Sequence, residues 1–162
     1  MLPKTHIIGG LIFSFTLMMI FPIDIGLIGA LIIFFSSFLI DVDHYVYYVY
    51  KTRIFNLNKS IHWYSVNRKK FSNMTFQEKN KIYTGLCFLH GIEAFIVLSL
   101  LIFIRNPLSP YMVFVAIGFI FHHILDAIDL YIRNYRFDKV LSFFYSVKKA
   151  KNKKLLQEIK DD

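Results

Sequence analysis

Apolar residues run almost unbroken through four stretches of this chain, Ile7 to Ile23, Ile25 to Ile40, Ile82 to Ile104 and Tyr111 to Ile132, and polar residues fill the intervals. Stretches of this kind predict helices buried in hydrocarbon, since one passage of a bilayer core takes roughly 20 apolar residues. The first two are short for passages. Pro22-Ile23-Asp24-Ile25-Gly26 contains turn formers, which predicts a helical hairpin there rather than one long helix. Arg105-Asn106-Pro107-Leu108-Ser109-Pro110 separates the third and fourth stretches in the same way. The hairpins are joined by a polar connection from Lys51 to Lys81, rich in Lys, Arg, Asn and Ser, and a second charged segment runs from Arg133 to Asp162. The expected fold is all-α: an integral membrane bundle of about four transmembrane helices in two hairpins, residues 1–132, followed by a basic amphipathic C-terminal helix within residues 133–162.

Composition agrees with a membrane setting. The 162 residues are 56% hydrophobic, include 18 Phe and have a mean hydropathy of +0.47, against an apolar share of about 45–50% in a soluble domain. Cys87 is the sole cysteine, so no intramolecular disulfide is available, and a site built on thiolates alone would be incomplete. Met1 to Pro22 has Lys4 ahead of an apolar stretch but no small-residue cleavage site, and reads as a retained first helix.

Charge sets the expected orientation. Of 19 Lys and Arg, only Arg105 lies on the side opposite the N-terminus, the Lys51 to Lys81 connection and the C-terminal segment. The positive-inside rule places that basic side, with both termini, in the cytoplasm. The tail carries Phe137, Val140, Leu141, Phe143, Phe144, Tyr145 and Val147 ahead of a lysine cluster, the pattern of a helix lying on anionic headgroups. The net charge of +8 is therefore read as topology plus contact with membrane lipids, and no nucleic-acid partner is expected. Tyr45, Tyr47, Tyr48 and Tyr50 read as an interfacial belt, and His62, beside Trp63 and Tyr64, as part of an interfacial aromatic patch.

Against this background the ionisable groups stand out. Five of six histidines, His6, His44, His90, His122 and His123, lie inside or at the ends of apolar stretches, four of them near carboxylates. Intramembrane groups of this kind mark ion sites, proton relays or metal centres. His6 opens the first helix and Asp41-Val42-Asp43-His44 closes the second, so an antiparallel pair brings them to one end. On the third helix His90 and Glu93 share a face, and on the fourth His122, Asp126 and Asp129 form a stripe. At about 1.5 Å per residue, His90 lies roughly 12 Å into its stretch and Asp126 roughly 9 Å from the end of its own, so the depths agree. Four helices thus direct His6, Asp41, Asp43, His44, His90, Glu93, His122, His123 and Asp126 toward one pocket. Asp43 points away from the face shared by Asp41 and His44, and joins only if the helix ends or bends there. Gly9, Gly10 and Gly91 would allow close helix approach. Asp24 is expected in a solvated turn and Asp129 in a supporting role.

Imidazoles and carboxylates together suit a divalent cation, most of all zinc, in one to three copies. The order Thr5-His6-Ile7-Ile8-Gly9, Asp41-Val42-Asp43-His44, His90, and Gly118-Phe119-Ile120-Phe121-His122 with Asp126 resembles the membrane-bound metal-dependent hydrolases, the YdjM-like group of prokaryotic inner-membrane proteins. That group is distantly similar to zinc-dependent phospholipase C and P1-type nucleases. The resemblance implies phosphoesterase chemistry in the cell membrane, with His6, Asp41, Asp43, His44, His90, His122 and Asp126 as functional residues; Glu93 is added from helix geometry alone. Two of these stretches carry the likeness most closely, an Asp-x-Asp-His and a Gly-x3-His-x3-Asp pattern. Family members often have Pro where Ile40 stands, and a fuller third motif of which this chain keeps only His90. The expected function is hydrolysis of an amphiphilic phosphoester by metal-activated water, with Asp41 or Glu93 as proton acceptor. The alternative is a non-enzymatic metal or proton carrier, or a structural metal site. Glu93 to Arg105 and Arg105 to Phe121 hold no further acid or histidine, so a carrier path toward the outer face looks closed.

Overall fold

The computed structural model describes residues 3–83, 87–104, 107–132, 142–144, 147–148 and 154–155. The first apolar stretch forms helix α1 (Pro3–Ile20) and the second α2 (Pro22–Leu39), with Phe21 alone between them. Pro22 opens α2, where its missing N–H costs no hydrogen bond and its fixed φ suits the helix. Gly26 then leaves helical geometry, at φ 57° and ψ −175°. That conformation belongs essentially to glycine. The turn formers thus act as a helix start and a kink rather than as a loop, and Asp24 is exposed beside them.

After Leu39 the chain tightens instead of ending. Asp41 N bonds to Phe38 O at 3.1 Å, Asp43 N to Ile40 O at 3.3 Å and His44 N to Asp41 O at 3.1 Å, all spanning three residues. Three residues per turn in place of 3.6 rotates the residues beyond Asp41 about the helix axis. Helix α3 (Val42–Thr52) continues to Arg53, whose left-handed φ of 60° stops it.

The connection expected as a polar loop is largely helical, in α4 (Leu57–Asn73) and α5 (Phe76–Lys81). Asn56 caps α4 by accepting from Lys59 N at 3.0 Å. Thr75 and Glu78 form a capping box at α5, with Thr75 N donating to Glu78 Oε2 at 2.7 Å and Glu78 N to Thr75 Oγ1 at 3.4 Å. After α5, a two-residue strand β1 (Ile82–Tyr83) runs parallel to β2 (Lys154–Leu155).

The third apolar stretch departs furthest from expectation. Its helix, α6 (Ile92–Phe103), covers 12 residues, and residues 88–91 form a turn before it, with Gly91 as an extended N-cap at φ −90° and ψ 160°. Helix α7 (Ser109–Ile132) has 24 residues, a length of about 36 Å.

Helices α1, α2 and α7 pack on one another, α6 lies on α7, and α3 contacts α4. Gly118 sets the closest approach: a Cβ there would fall 2.5 Å from the Ile33 carbonyl oxygen. Phe13 stacks on Phe121 at 4.0 Å between α1 and α7. Burial is inverted relative to a water-soluble bundle. Among the described residues, nine polar or charged side chains are buried against six apolar ones, while Met19, Ile23 and Phe103 are more than three-quarters exposed. Two helical stretches are long and apolar enough to cross a membrane, Pro22–Thr52 and Ser109–Ile132; α1 and α6 are apolar but shorter. Tyr50 is exposed as a belt residue would be, but Tyr47 and Tyr48 are buried, Tyr48 meeting Trp63 edge-on at 5.5 Å. They pack α3 onto α4 rather than facing an interface. The amphipathic tail expected over 133–162 lies almost entirely outside the described residues.

Candidate metal centre

Five segments deliver the polar groups. His6 stands near the start of α1, Asp41 at the tightened turn, Asp43 and His44 on α3, Cys87 and His90 before α6, and His122 and Asp126 one turn apart on α7. The rotation at Ile40 and Asp41 is what brings Asp43 inward, so the condition set by the sequence is met and Asp43 is completely buried.

The side chains converge closely. His6 Nε2 lies 3.2 Å from Asp126 Oδ1 and 4.0 Å from Asp41 Oδ2; His122 Nε2 lies 3.4 Å from Asp126 Oδ2 and 3.8 Å from Asp41 Oδ1. His90 Nε2 is 3.6 Å from Asp126 Oδ2, and His44 Nε2 is 3.6 Å from Asp41 Oδ1. The His6 and His122 rings stack at 4.1 Å, and those of His44 and His90 at 4.7 Å.

Outer hydrogen bonds fix the ring orientations. His122 Nδ1 donates to Ser37 O at 2.8 Å, a carbonyl in the last turn of α2 that has no onward helical partner. His90 Nδ1 donates to Asp43 Oδ2 at 3.0 Å, and the same oxygen accepts from Leu89 N at 2.9 Å. With those protons committed, the Nε2 atoms of His90 and His122 turn lone pairs toward each other across 3.1 Å. Two lone pairs so placed repel unless a cation or a proton stands between them. Two zinc–nitrogen bonds at a tetrahedral angle span about 3.3 Å, close to that separation.

Unpartnered atoms point the same way. Both ring nitrogens of His6, Asp41 Oδ2 and Asp43 Oδ1 are buried with no hydrogen-bond partner among the described residues. Such orphans cost roughly 1–3 kcal/mol each when left unsatisfied, and more when charged. Three overlapping sets, Asp43/His44/Cys87/His90, His6/Asp41/His122 and His90/His122/Asp126, bring ligand atoms within 4.8 Å of one another. These groups could hold a metal ion, and the donor chemistry fits one.

No family model, curated protein or solved structure matches the chain.

Seven of the eight residues expected as ligands from sequence meet in this cluster. Glu93 does not. Its expected place beside His90 assumed one helix through both, but the turn before Gly91 breaks that spacing, and the Glu93 carboxylate instead accepts from Ser142 Oγ and, at 2.9 Å, from Phe143 N. It is withdrawn as ligand and as proton acceptor. His123 is also turned aside, with Nδ1 donating to Phe119 O at 2.9 Å, and His62 is exposed on α4.

Sequence reasoning missed three contributors. Cys87 Sγ lies 2.7 Å from His44 Nδ1, a contact foreshadowed only by the Cys-x-x-His spacing to His90. Tyr64 donates its hydroxyl to His44 O at 2.8 Å, and burial raises its phenol well above the ordinary value, keeping it a donor. Arg68, one turn on, bonds both oxygens of Asp129 at 2.8 and 3.1 Å, tying α4 to the end of α7. The signal was the Ser60, Tyr64, Arg68 spacing behind Asn56, one stripe of a capped helix. Arg68→Ala is expected to lower stability by about 1.5–3 kcal/mol, the worth of a charged hydrogen bond, with Arg68→Lys intermediate; thermal unfolding in detergent measures it.

Proposed function

We propose that this chain is a multi-pass membrane protein of the YdjM-like kind, whose zinc centre hydrolyses a phosphoester in an amphiphilic, lipid-like substrate. The observation that carries the proposal is the convergence of four imidazoles and three carboxylates, with orphaned buried atoms, inside a bundle whose exterior is apolar. In this reading α1, α2, α6 and α7 make the four passages, and the basic side, with both termini, is cytoplasmic. Helix α6 spans only about 18 Å, so the third passage is completed by the turn that carries His90. Non-helical backbone is tolerated at such depth where it is buried in protein.

The centre takes one to three divalent ions, and zinc suits the mixture of imidazole and carboxylate. A zinc ion held there would supply Lewis acidity toward a phosphoryl oxygen and would lower the pKa of a water. The chain's own residues do the rest. His6, His90, His122 and Asp126 would hold the ion, Ser37 O and Asp43 orient the rings of His122 and His90, and Asp41 Oδ2, buried without a hydrogen-bond partner among the described residues, would accept a proton from water. An apolar groove of about 450 Å³ between α2 and α7, lined by Leu31, Phe35 and Phe119, reaches Ile40 and Leu89, the neighbours of Asp41 and His90. An apolar groove running to residues adjacent in the chain to Asp41 and His90 favours a substrate with a hydrocarbon tail.

Zinc-loaded protein in detergent is expected to hydrolyse a chromogenic phosphodiester or phospholipid in mixed micelles, and to stop when Asp41 is replaced by asparagine with zinc still bound. Protein that holds zinc yet cleaves neither substrate contradicts the enzymatic reading and favours a carrier or structural centre.

A further inference from the structure

The cluster is not uniform in its donors. Around Asp41 and Asp126 it offers imidazole and carboxylate, whereas its opposite end brings in a sulfur, Cys87 Sγ at 2.7 Å from His44 Nδ1. A cysteine beside a histidine is by itself only a hydrogen bond. The second observation is Asp43 Oδ1. Asp43 is completely buried, its Oδ2 is occupied by Leu89 N and His90 Nδ1, and its Oδ1 has no hydrogen-bond partner and lies 3.6 Å from the same His44 nitrogen.

We infer that Cys87, His44 and Asp43 form a second, sulfur-containing metal subsite, separate from the nitrogen and oxygen site of His6, His90, His122 and Asp126. The inference rests on the metal-centre reading above and adds to it a soft ligand and a second ion. His90 Nδ1 is committed to Asp43 Oδ2, so the subsite has three protein ligands, Sγ, Nδ1 and Oδ1, and a fourth position open. Three ligands with an open position is the arrangement of zinc sites that receive a water or a substrate atom. The thiolate selects zinc and other thiophilic ions over magnesium or calcium.

Charge balance supports two ions. Asp41, Asp43 and Asp126 bring three negative charges into an apolar bundle, and a Cys87 thiolate brings a fourth. Two divalent cations neutralise the set; one leaves it anionic, which a low-dielectric surrounding penalises. On binding, the Cys87 thiol gives up its proton to solvent as the metal–sulfur bond forms. Access exists from that end, since the His44 side chain is one-third exposed and Cys87 is half-buried. Tyr64 holds the His44 backbone in place from α4.

Cobalt(II) titration of the zinc-free full chain in detergent tests this. Native protein is expected to show a near-ultraviolet thiolate-to-cobalt charge-transfer band and to release about one proton from the thiol per chain. Cys87→Ser is expected to lose the band and one cobalt ion per chain, while keeping the ion held by His122 and Asp126. Cys87→His is expected to regain the second ion without the band, which separates ligand loss from misfolding. Cobalt bound by native protein with no thiolate band overturns this inference alone. Native protein that binds no cobalt or zinc at all overturns the metal-centre reading, and this inference with it.

Discussion

Replacing His122 and Asp126 together with alanine is expected to empty the nitrogen and oxygen site and, under the proposed hydrolase function, to reduce hydrolysis to background. His122 Nε2 and the Asp126 carboxylate are one helical turn apart on α7, and between them they reach His6, His90 and Asp41. Stability should fall as well, because an ion bound only by the folded state stabilises it by about 4 kcal/mol when present at 1,000 times its dissociation constant. The sign distinguishes this from a packing defect: zinc should raise the unfolding temperature of native protein strongly and that of the double variant weakly. Unfolding scans with and without zinc, alongside bound-metal analysis, measure both effects.

The second large effect belongs to Asp43. Its Oδ2 accepts from Leu89 N and His90 Nδ1 at once, so it shapes the turn before α6 and aims the His90 ring. Asp43→Ala leaves the buried His90 Nδ1 and the part-buried Leu89 N without their acceptor, a cost of about 1–3 kcal/mol, and zinc affinity is expected to drop by about 10–100-fold, as when an orienting carboxylate is removed. Asp43→Asn retains an acceptor oxygen without the charge and should fall between native and alanine in stability. Calorimetric zinc titration together with unfolding in detergent reads the two contributions separately.

The parts of the centre that follow from periodicity were legible in the chain. His122 and Asp126 share a face because four residues make about one turn, and His6 and Asp41 meet because Pro22 and Gly26 fold α1 and α2 into a hairpin. Asp43 was legible only as a condition, since joining the cluster needed a local break that the shortened hydrogen bonds at Ile40 and Asp41 supply. Glu93 failed for a long-range reason. The helix expected through His90 is interrupted where the Asp43 carboxylate, 46 residues away, takes the Leu89 N–H. No helical pattern within residues 82–104 reveals that competition. Helix α4 was hidden by its basic composition, although Asn56 as cap and the Tyr64 and Arg68 spacing were present.

The central claim is that this buried cluster holds metal, and metal content is its most direct measure. Full-length protein extracted in mild detergent without chelator, and analysed by inductively coupled plasma mass spectrometry, is predicted to carry between one and three divalent ions per chain, zinc foremost, and to lose them on substitution of His122 and Asp126. Protein that emerges metal-free, and whose unfolding temperature does not move when zinc is added, would contradict the account.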